Sequence, residues 1–263
     1  MPFVVASWNV NSLRVRLSLL LEFLKQYQPD ILALQETKLE DVLFPINTLR
    51  EAGYHCFFHG QKQYNGVALL SKYPLQSIQK SLPGYQEHQA RFLAAVLGKI
   101  KVISIYAPHG GSIGSQAYEY KLKWFHYLSA YIKEALSEFS EVLILGDYNI
   151  TPQDEDVYDP VMLANQISTS IPERAAFQTL LEYNLYDCFR LHHQGPGHYT
   201  WWDYRTRAFQ RKLGLRIDHI LCSQRLSTDC YQCEIDMDMR KAVRPSDHAA
   251  IIAYFQNHSH EFI

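Results

Sequence analysis

A carboxylate and an amide directly follow one strongly apolar stretch of the sequence. Residues 142–145 are four consecutive apolar residues, and Asp147 and Asn149 come just after them. Such a run predicts a strand buried on both faces, and in an open α/β sheet ligands collect at the carboxyl ends of strands. In extended backbone, side chains two residues apart point the same way, so both could serve one site. Asp and Asn also end strands by making turns, and this stretch alone leaves that alternative open.

Polar side chains also end two predicted strands near the beginning of the chain. Asn9 follows an apolar strand at 3–8, and Glu36 follows another at 31–34. An amphipathic helix predicted at 13–27 connects them, so the three elements form a βαβ unit. If the strands are parallel, Asn9 and Glu36 lie at the same edge of one sheet. The alternatives are a turn or helix N-cap for Asn9 and a solvated loop position for Glu36.

Three further residues with useful chemistry occur at or near predicted strands. Tyr106 ends a strand, where it could either pack as an aromatic or aim its hydroxyl at a phosphate. Asp218 lies inside a strand predicted at 215–221, and a buried carboxylate needs a hydrogen-bonding or cationic partner. The candidate partner is His248, which follows Asp247 just before the last strand. An Asp–His pair would fix the tautomer and orientation of the imidazole.

The polar residues near the predicted strands favour a hard divalent cation. Carboxylates and amides dominate the set, and no cysteine or histidine cluster has zinc spacing, because Cys230 and Cys233 lack a second ligand pair. Mg²⁺ or Mn²⁺ fits this ligand chemistry and suits phosphate substrates. The set is Asn9, Glu36, Tyr106, Asp147, Asn149, Asp218, Asp247 and His248.

A basic stretch late in the chain is typical of a DNA-binding loop. Residues 205–216 contain five basic side chains and no acidic one, with Phe209 and Leu213 among them. Basic side chains can contact phosphates, and exposed apolar ones can act as wedges against unstacked bases. A charged surface loop is the alternative. An acidic run at 154–159 has no apolar alternation, so we interpret it as a solvated loop.

The remaining elements indicate an α/β chain with an antiparallel region. The longest helix is predicted at 115–139, and a hairpin turn at Gly98 and Lys99 joins two antiparallel strands. Other segments predicted are a helix near 42–52, strands near 54–58, 66–70, 92–97 and 102–106, and a final strand at 249–255.

Composition limits the classes of protein to consider. The chain has 263 residues, of which 47% are hydrophobic, so it can bury a large core in one or two domains. Its net charge of -2 means that nucleic-acid binding would need a local basic face. No apolar run approaches a membrane span, no charged leader precedes the first strand, and the five cysteines are odd in number and scattered. We therefore expect a cytoplasmic protein with reduced thiols.

Seven ordered motifs resemble those of the exonuclease III family of apurinic/apyrimidinic endonucleases, within the endonuclease/exonuclease/phosphatase superfamily. The strand-end motifs are shared with deoxyribonuclease I, sphingomyelinases and inositol polyphosphate phosphatases, so they say little about substrate. The motifs at 201–205 and 215–218 are specific to the DNA-repair branch. The seven are WNVNSLR at 8–14, LQETK at 34–38, YAP at 106–108, GDYNI at 146–150, WWDYR at 201–205, LRID at 215–218 and PSDHA at 245–249.

The resemblance spans the whole chain and implies one domain over 1–263. The implied fold is a four-layer α/β sandwich, with two mixed β-sheets face to face and helices outside. The implied activity is Mg²⁺-dependent hydrolysis of the DNA backbone 5′ to abasic sites, with Mn²⁺ able to substitute. The resemblance also implies two further activities on duplex DNA, a 3′-phosphodiesterase or phosphatase activity and a 3′-to-5′ exonuclease activity. The partner would be double-stranded DNA with abasic sites or blocked 3′ ends, and the protein a monomer in base excision repair.

The resemblance also implies residue roles. Glu36 would bind the metal, supported by Asn9 and Asp247, with Asp147, Asn149 and His248 completing its surroundings. Asp147 would orient or deprotonate the attacking water, Asn149 would hold the phosphate and the water, and Tyr106 would donate to the phosphate or assist the leaving oxygen. His248, oriented by Asp218, would stabilise negative charge on the phosphoryl oxygens. Trp201 would form a wall of the abasic-sugar pocket, and the loop around Phe209 would press on the duplex. The implied DNA-binding residues are Arg14, His109, Trp201, Arg205, Phe209, Arg211 and Lys212.

Two departures bear on activity. His109 stands where relatives carry an amide, which leaves the balance among the three activities open. Asn11 replaces an acidic residue of some relatives, which could change how the metal is held. Because the sequence lacks the basic N-terminal extension of vertebrate enzymes, we expect no regulatory partners that bind through that extension. A phosphatase acting on a non-DNA ester and a non-catalytic DNA-binding relative are the alternatives to a DNA-repair nuclease.

Overall fold

The computed structural model describes residues 2–86 and 89–256, which form two β-sheets with helices on their outer sides. The described strands are β1 (Phe3–Asn9), β2 (Ile31–Gln35), β3 (His55–His59), β4 (Val67–Ser71), β5 (Gln76–Gln79), β6 (Phe92–Leu97), β7 (Ile100–Tyr106), β8 (Glu141–Asp147), β9 (Leu185–Asp187), β10 (Asp218–Ser223), β11 (Cys230–Asp236) and β12 (Ala250–Phe255). The described α-helices are α1 (Leu13–Tyr27), α2 (Ile46–Glu51), α3 (Gln116–Glu138), α4 (Ile171–Leu181), α5 (Gln224–Ser227) and α6 (Asp238–Lys241).

Both sheets have six strands and are mixed. The first has the order β11-β12-β1-β2-β4-β3, and the second has the order β5-β6-β7-β8-β10-β9. In each sheet one central pair is parallel, β1 with β2 and β7 with β8, while the other neighbours are antiparallel. Asn9 and Glu36 were predicted to lie at one edge of a sheet if their strands are parallel. Strands β1 and β2 are parallel, so this condition is met.

Three apolar cores hold four layers together, as the fold prediction requires. Side chains such as Val5 and Leu145 fill the space between the two sheets. The outer face of the first sheet packs against α1, for example through Phe23, and the outer face of the second packs against α3 and α4. The fold is therefore the predicted sandwich of helices, sheet, sheet and helices.

The central position of strand β8 explains its run of apolar residues at 142–145. Val142 and Ile144 face the core under α3, whereas Leu143 and Leu145 face the core between the sheets. Because successive side chains of a strand point to opposite faces, a central strand covered on both sides needs apolar residues at every position. All seven residues of β8 are buried, and Asp147 is the last of them.

Most elements were predicted within a few residues, but some were not. The predicted helix near 42–52 is a short 3₁₀ turn, Asp41–Leu43, followed by α2. The strand predicted at 215–221 begins only at Asp218, so this residue starts β10 rather than lying inside it. Strands β5, β9 and β11 and helix α4 were not predicted.

The interpretation of the acidic run as a solvated loop is wrong for Asp156. This residue is fully buried, and its carboxylate accepts from Arg216 at 2.7 Å. Arg216 also donates to Asp187 at 2.7 Å, so one buried guanidinium bridges two carboxylates, and Arg190 supplies a second positive charge to Asp156. Arg216 was counted in the basic stretch, but it lies inside the protein and cannot contact DNA.

None of the helices in the described ranges is both long enough and apolar enough to cross a bilayer.

Candidate active site

The polar residues near the strands meet at one edge of the two stacked sheets. In the first sheet, Asn9 is the last residue of β1, and Glu36 follows β2, the parallel neighbour. In the second sheet, Asp147 lies in register with Tyr106 of β7 on one side and Asp218 of β10 on the other. The topology therefore brings these five residues from distant parts of the chain to one place.

The side-chain amide of Asn9 connects the two sheets. Its Nδ2 donates to Glu36 Oε1 at 2.8 Å and to Asp147 Oδ2 at 3.0 Å. Its Oδ1 accepts from the backbone N–H of Asn11 at 3.0 Å, and the residue is fully buried. Asn9 thus holds two carboxylates, one from each sheet, on a single donor group.

His248 lies between two carboxylates just before β12. Its Nδ1 is 2.9 Å from Asp218 Oδ2, and its Nε2 is 3.8 Å from Asp147 Oδ2. The Ser246 hydroxyl accepts from the backbone N–H of His248 and donates to the carbonyl of Asn9. Because a carboxylate only accepts, Nδ1 carries a hydrogen and Nε2 faces the cluster.

Burial and neighbouring charges shift the protonation of the Asp147–His248 pair. Burial, followed by the charge of Asp218, raises the pKa of Asp147 to about 7. Burial opposes the charged form of His248, but the attraction and hydrogen bond of Asp218 raise its pKa to about 10. Near neutral pH the imidazole is therefore cationic, while the carboxyl group of Asp147 titrates beside it.

Asn149 and Tyr106 flank Asp147. The backbone N–H of Asn149 donates to Asp147 Oδ1 at 2.8 Å, and its Nδ2 donates to the carbonyl of Ala107 at 3.0 Å. Burial and the charges of Glu36 and Asp147 raise the pKa of Tyr106 well above its usual value. Tyr106 therefore keeps its phenolic hydrogen and can donate it to an anionic ligand.

The cluster has the composition and spacing of a divalent-cation site. Potential ligand atoms of Glu36, Asp147 and His248 lie within 4.8 Å of one another, and this is the only such group in the described part of the chain. The carboxylates of Glu36 and Asp147 supply the ligand oxygens, because the cationic imidazole of His248 has no free nitrogen lone pair. The oxygen-rich donor set suits a hard cation. Lys38 Nζ lies 2.8 Å from Glu36 Oε2 and supplies positive charge beside it. The residues present therefore fit a divalent metal ion.

Asp247 lies at the rim of this cluster. Its Oδ1 accepts from Asn11 Nδ2 at 2.8 Å, and its Oδ2 accepts from Trp201 Nε1 at 3.0 Å. Asn11 also accepts from the ammonium group of Lys38. Asn11 and Lys38 thus connect Asp247 to Glu36. Where some relatives have an acidic residue, Asn11 places a neutral amide between these two carboxylates.

A cavity of about 470 Å³ opens beside the cluster. Its size lies in the ~300–1,000 Å³ range of small-ligand sites. Its polar lining includes Glu36, Tyr106, His109, Asp147, Asn149, Asp247 and His248. Its apolar lining is formed by Leu163, Ile167, Trp201, Leu215 and Ile217. The cavity therefore offers apolar surface next to charged and hydrogen-bonding groups.

The structure brings only some of the predicted DNA-binding residues to this cavity. His109 and Trp201 line it, and Arg211 borders a second cavity of about 290 Å³ beyond Trp201. Arg14, Arg205 and Lys212 are exposed but line neither cavity. Their accessibility suits contacts with the backbone of a long ligand.

The apolar side chains of the basic stretch are not exposed wedges. Phe209 is half-buried, its ring packs edge-to-face on Trp202 at 5.1 Å, and the guanidinium of Arg240 lies 4.3 Å from its centroid. Leu213 packs against the same small core. The expectation that these side chains are fully exposed is therefore wrong, since both are partly buried in the loop. Contact of the loop around Phe209 with a duplex stays a prediction.

The sequence did not single out several residues that shape the site. Residues 163 and 166–168 line the cavity from an irregular loop without hydrophobic periodicity. Lys38 had a local signal, since it lies two residues after Glu36. Lys121 contacts the carbonyl of Asn149 from inside α3, and no local pattern marks it.

Comparison with known proteins gives consistent matches over most of the chain. Residues 6–248 match the model of the endonuclease/exonuclease/phosphatase family. Exodeoxyribonuclease III of Haemophilus influenzae is 38% identical, over 95% of this chain and 98% of that protein. The 3′ phosphatase NExo from Neisseria, solved with a product DNA hairpin, superposes with a TM-score of 0.95 at 40% identity, covering 97% of this chain and 100% of that one. An AP endonuclease from Archaeoglobus fulgidus superposes with a TM-score of 0.90 at 34% identity, with the same coverage.

Proposed function

The chain belongs to the endonuclease/exonuclease/phosphatase family and to its exonuclease III branch, and we propose that it is a metal-dependent DNA-repair nuclease. Its principal reaction is hydrolysis of the DNA backbone 5′ to abasic sites, leaving a 3′-hydroxyl. It also removes 3′-blocking groups and degrades duplex DNA from 3′ ends. The relatives named exodeoxyribonuclease III, AP endonuclease and 3′ phosphatase support this range.

One observation carries the proposal. Asn9 donates to Glu36 and to Asp147 at once, and His248 bridges the space between Asp147 and Asp218. This network places carboxylates, an amide and a cationic imidazole beside a cavity of about 470 Å³. Phosphodiester hydrolysis needs this combination, because negative charge must be neutralised while a water molecule is activated.

Asp147 is the residue that we assign to the attacking water. Its pKa of about 7 lets it accept a proton near neutral pH, which is where a general base is most effective. The backbone N–H of Asn149 fixes Asp147 Oδ1, so the carboxylate has a defined orientation. The side-chain oxygen of Asn149 is available to hold the same water.

His248 and Tyr106 are assigned to the phosphate. His248 carries positive charge and is oriented by Asp218, so its Nε2–H can donate to a phosphoryl oxygen as charge develops there. Tyr106 remains protonated and can donate a second hydrogen bond or assist the leaving oxygen. Each such group contributes about 10²- to 10⁴-fold, so several must act together.

Mg²⁺ is the cofactor that we propose, with Mn²⁺ able to replace it. Glu36 would hold it, with Asn9, Asp147, Asn149, Asp247 and His248 around it. When bound, the ion supplies positive charge to the phosphoryl oxygens. Lys38 would then share Glu36 with the ion, and Asn11 would keep Asp247 in place.

The apolar lining of the cavity gives a physical basis for lesion selectivity. Flipping a nucleotide out of duplex DNA costs a few kcal/mol, and least where the base is already missing. An abasic sugar could therefore enter against Trp201 and Leu215 more readily than an intact nucleotide. We also expect the protein to act as a cytoplasmic monomer, and its five free thiols suit a reducing compartment.

The proposal is tested with a labelled duplex that contains one abasic-site analogue. We expect a single nick 5′ to the analogue in Mg²⁺ or Mn²⁺, a 3′-hydroxyl on the product, and no nick in EDTA. An undamaged duplex should be shortened only from its 3′ ends. An inositol phosphate serves as the control substrate, and its hydrolysis without nicking of DNA would contradict the proposal.

A further inference from the structure

A fully buried ion pair lies behind the candidate active site. Lys121 of α3 and Glu173 of α4 have no exposed surface, and Nζ lies 2.5 Å from Oε1. The ammonium group also donates to the carbonyl of Asn149 at 2.7 Å and to that of His109 at 3.2 Å. Its three contacts therefore reach three different segments, and two of these supply cavity residues.

Glu173 extends the network to a further segment that lines the cavity. Its Oε1 accepts from the backbone N–H of Ser168 at 3.0 Å, and Ser168 lines the cavity. Its Oε2 accepts from the backbone N–H and the hydroxyl of Ser170, which forms a capping box at the start of α4. The carboxylate of Glu173 therefore helps to hold the irregular 166–168 loop at Ser168, whose carbonyl also accepts from the backbone N–H and the hydroxyl of Thr151.

The position of the ion pair is difficult to explain by stability alone. Replacement of a buried ion pair by apolar residues is often neutral or stabilising, because desolvation offsets the attraction. Burial lowers the pKa of Lys121, and Glu173 opposes that shift. The contacts of this pair converge on the segments that carry His109, Asn149 and the 166–168 loop.

The loop after β7 packs closely on the lysine stem. A Cβ added at Gly110 would lie 2.9 Å from Lys121 Cδ, so the backbone at this point rests directly on the side chain. A displacement of Lys121 would therefore move the His109 segment as well as Asn149. Asn149, the His109 segment and the 166–168 loop therefore share one support.

We propose that Lys121 and Glu173 are positioning residues that set the distance from Asn149 to the His109 and 166–168 segments, and thereby the rate of the chemical step. This inference rests on the proposed nuclease function. Misplacement of reacting groups by about 1 Å can slow an enzyme about 100-fold, even when the altered residue is remote from the chemistry. Substrate binding should depend less on the Lys121–Glu173 pair, since duplex DNA is held mainly through many phosphate contacts.

The test uses the double variant Lys121→Met/Glu173→Gln. It removes both charges together, because Lys121→Met alone would leave an uncompensated buried carboxylate and destabilise the fold. On the abasic duplex we expect kcat to fall by about 10- to 100-fold, with KM changed by less than about 3-fold. Hydrogen exchange at the backbone amides of residues 168–170 should become faster.

Two variants on α3 serve as controls. Lys133→Met removes an exposed lysine, and Leu128→Ala weakens the core under the same helix. Both should keep the wild-type kcat at temperatures where they are folded. The inference is overturned by a folded double variant with wild-type kcat, by unchanged exchange at 168–170, or by an equal loss of kcat in Leu128→Ala. A wild-type protein that nicks no abasic duplex would contradict the proposed function and this inference with it.

Discussion

The protonation of Asp147 and His248 depends on where each sits among buried carboxylates. Between about pH 7 and about pH 10, Asp147 is ionised and His248 is still protonated. One residue can then accept a proton from water while the other stabilises the phosphate. Asp218 raises both pKa values, through repulsion of Asp147 and through a hydrogen bond to His248, and the two side chains take opposite acid–base roles.

The stability of the protein should respond to Mg²⁺ in a pH-dependent way. The pKa of Asp147 is raised, so its contribution to stability is fully present below its unfolded pKa of about 4 and is lost as pH rises through about 7. A bound cation favours the ionised carboxylate. We therefore expect saturating Mg²⁺ to raise Tm more at about pH 8 than at about pH 5, measured by calorimetry.

The variant Asp147→Asn is the control for this effect, because an amide does not titrate. Its Tm gain from Mg²⁺ should vary much less between the two pH values. The raised pKa of His248 also reduces stability as pH rises through about 10, but this lies above the tested range. Equal Tm gains for the wild type at both pH values would contradict a metal site next to Asp147.

The sequence identified site residues well where they lie at the end of an apolar strand. Asn9, Glu36, Asp147 and Asp218 were all marked by apolar runs beside them. Asp156 was misinterpreted because its partner, Arg216, is 60 residues further along the chain. A pairing over that separation leaves no local pattern, so burial of the acid could not be read from its neighbours.

The spacing of β7 and β8 controls whether Tyr106 and Asp147 stay in register. Gly146 lies opposite Ile105, and a Cβ added there would be 2.0 Å from the Ile105 carbonyl oxygen. Gly146→Ala must therefore separate the two strands just before the catalytic edge. We expect a loss of about 1–3 kcal/mol in the free energy of unfolding, measured in urea, and slower nicking by the folded protein.

The matched control for this change is Leu97→Ala, at the opposite end of the same sheet. Leu97 is buried and pairs with Ile100, so its truncation leaves a cavity far from the site. It should cost about 2–5 kcal/mol in stability but leave the nicking rate per folded molecule unchanged. Wild-type stability and rate in Gly146→Ala would show that the close approach is unimportant.

Strands and helices with a clear periodicity of apolar residues were predicted from the sequence, and most elements without such a periodicity were missed. Strand β11 has a bulge between Cys230 and Gln232 that breaks its alternation, and β9 has only three residues. Helix α4 did have a signal, since Ser170 and Glu173 form a capping box with a proline in the first turn. The irregular loops that complete the cavity follow tertiary contacts and could not be predicted from propensity.

The charge of the whole molecule is nearly balanced, so DNA binding must depend on one face. The 203–213 loop adjoins the site and presents the exposed residues Arg207, Arg211 and Lys212. Replacing these three by Gln should reduce the slope of log K against log salt concentration by up to about 0.9 for each lost phosphate contact. Fluorescence anisotropy of an abasic duplex without catalysis would measure it.

Three basic residues remote from the candidate active site provide the control. Lys25 lies in the last turn of α1, Lys133 lies in the second half of α3, and Arg225 follows the end of β10 that is remote from Asp218. Their replacement should leave the salt slope unchanged. An equal change in both triple variants would mean that the basic loop has no special part in binding.

The central claim is that residues from both sheets act as one hydrolytic site. Single-turnover nicking of an abasic duplex in Mg²⁺ tests it most directly, with Asp147→Asn and His248→Gln compared with the wild type. We expect each variant to remain folded and to bind the duplex, but to nick at least about 10²-fold more slowly. The exposed Asp154→Asn should be unaffected. Wild-type rates in either Asp147→Asn or His248→Gln would contradict the account.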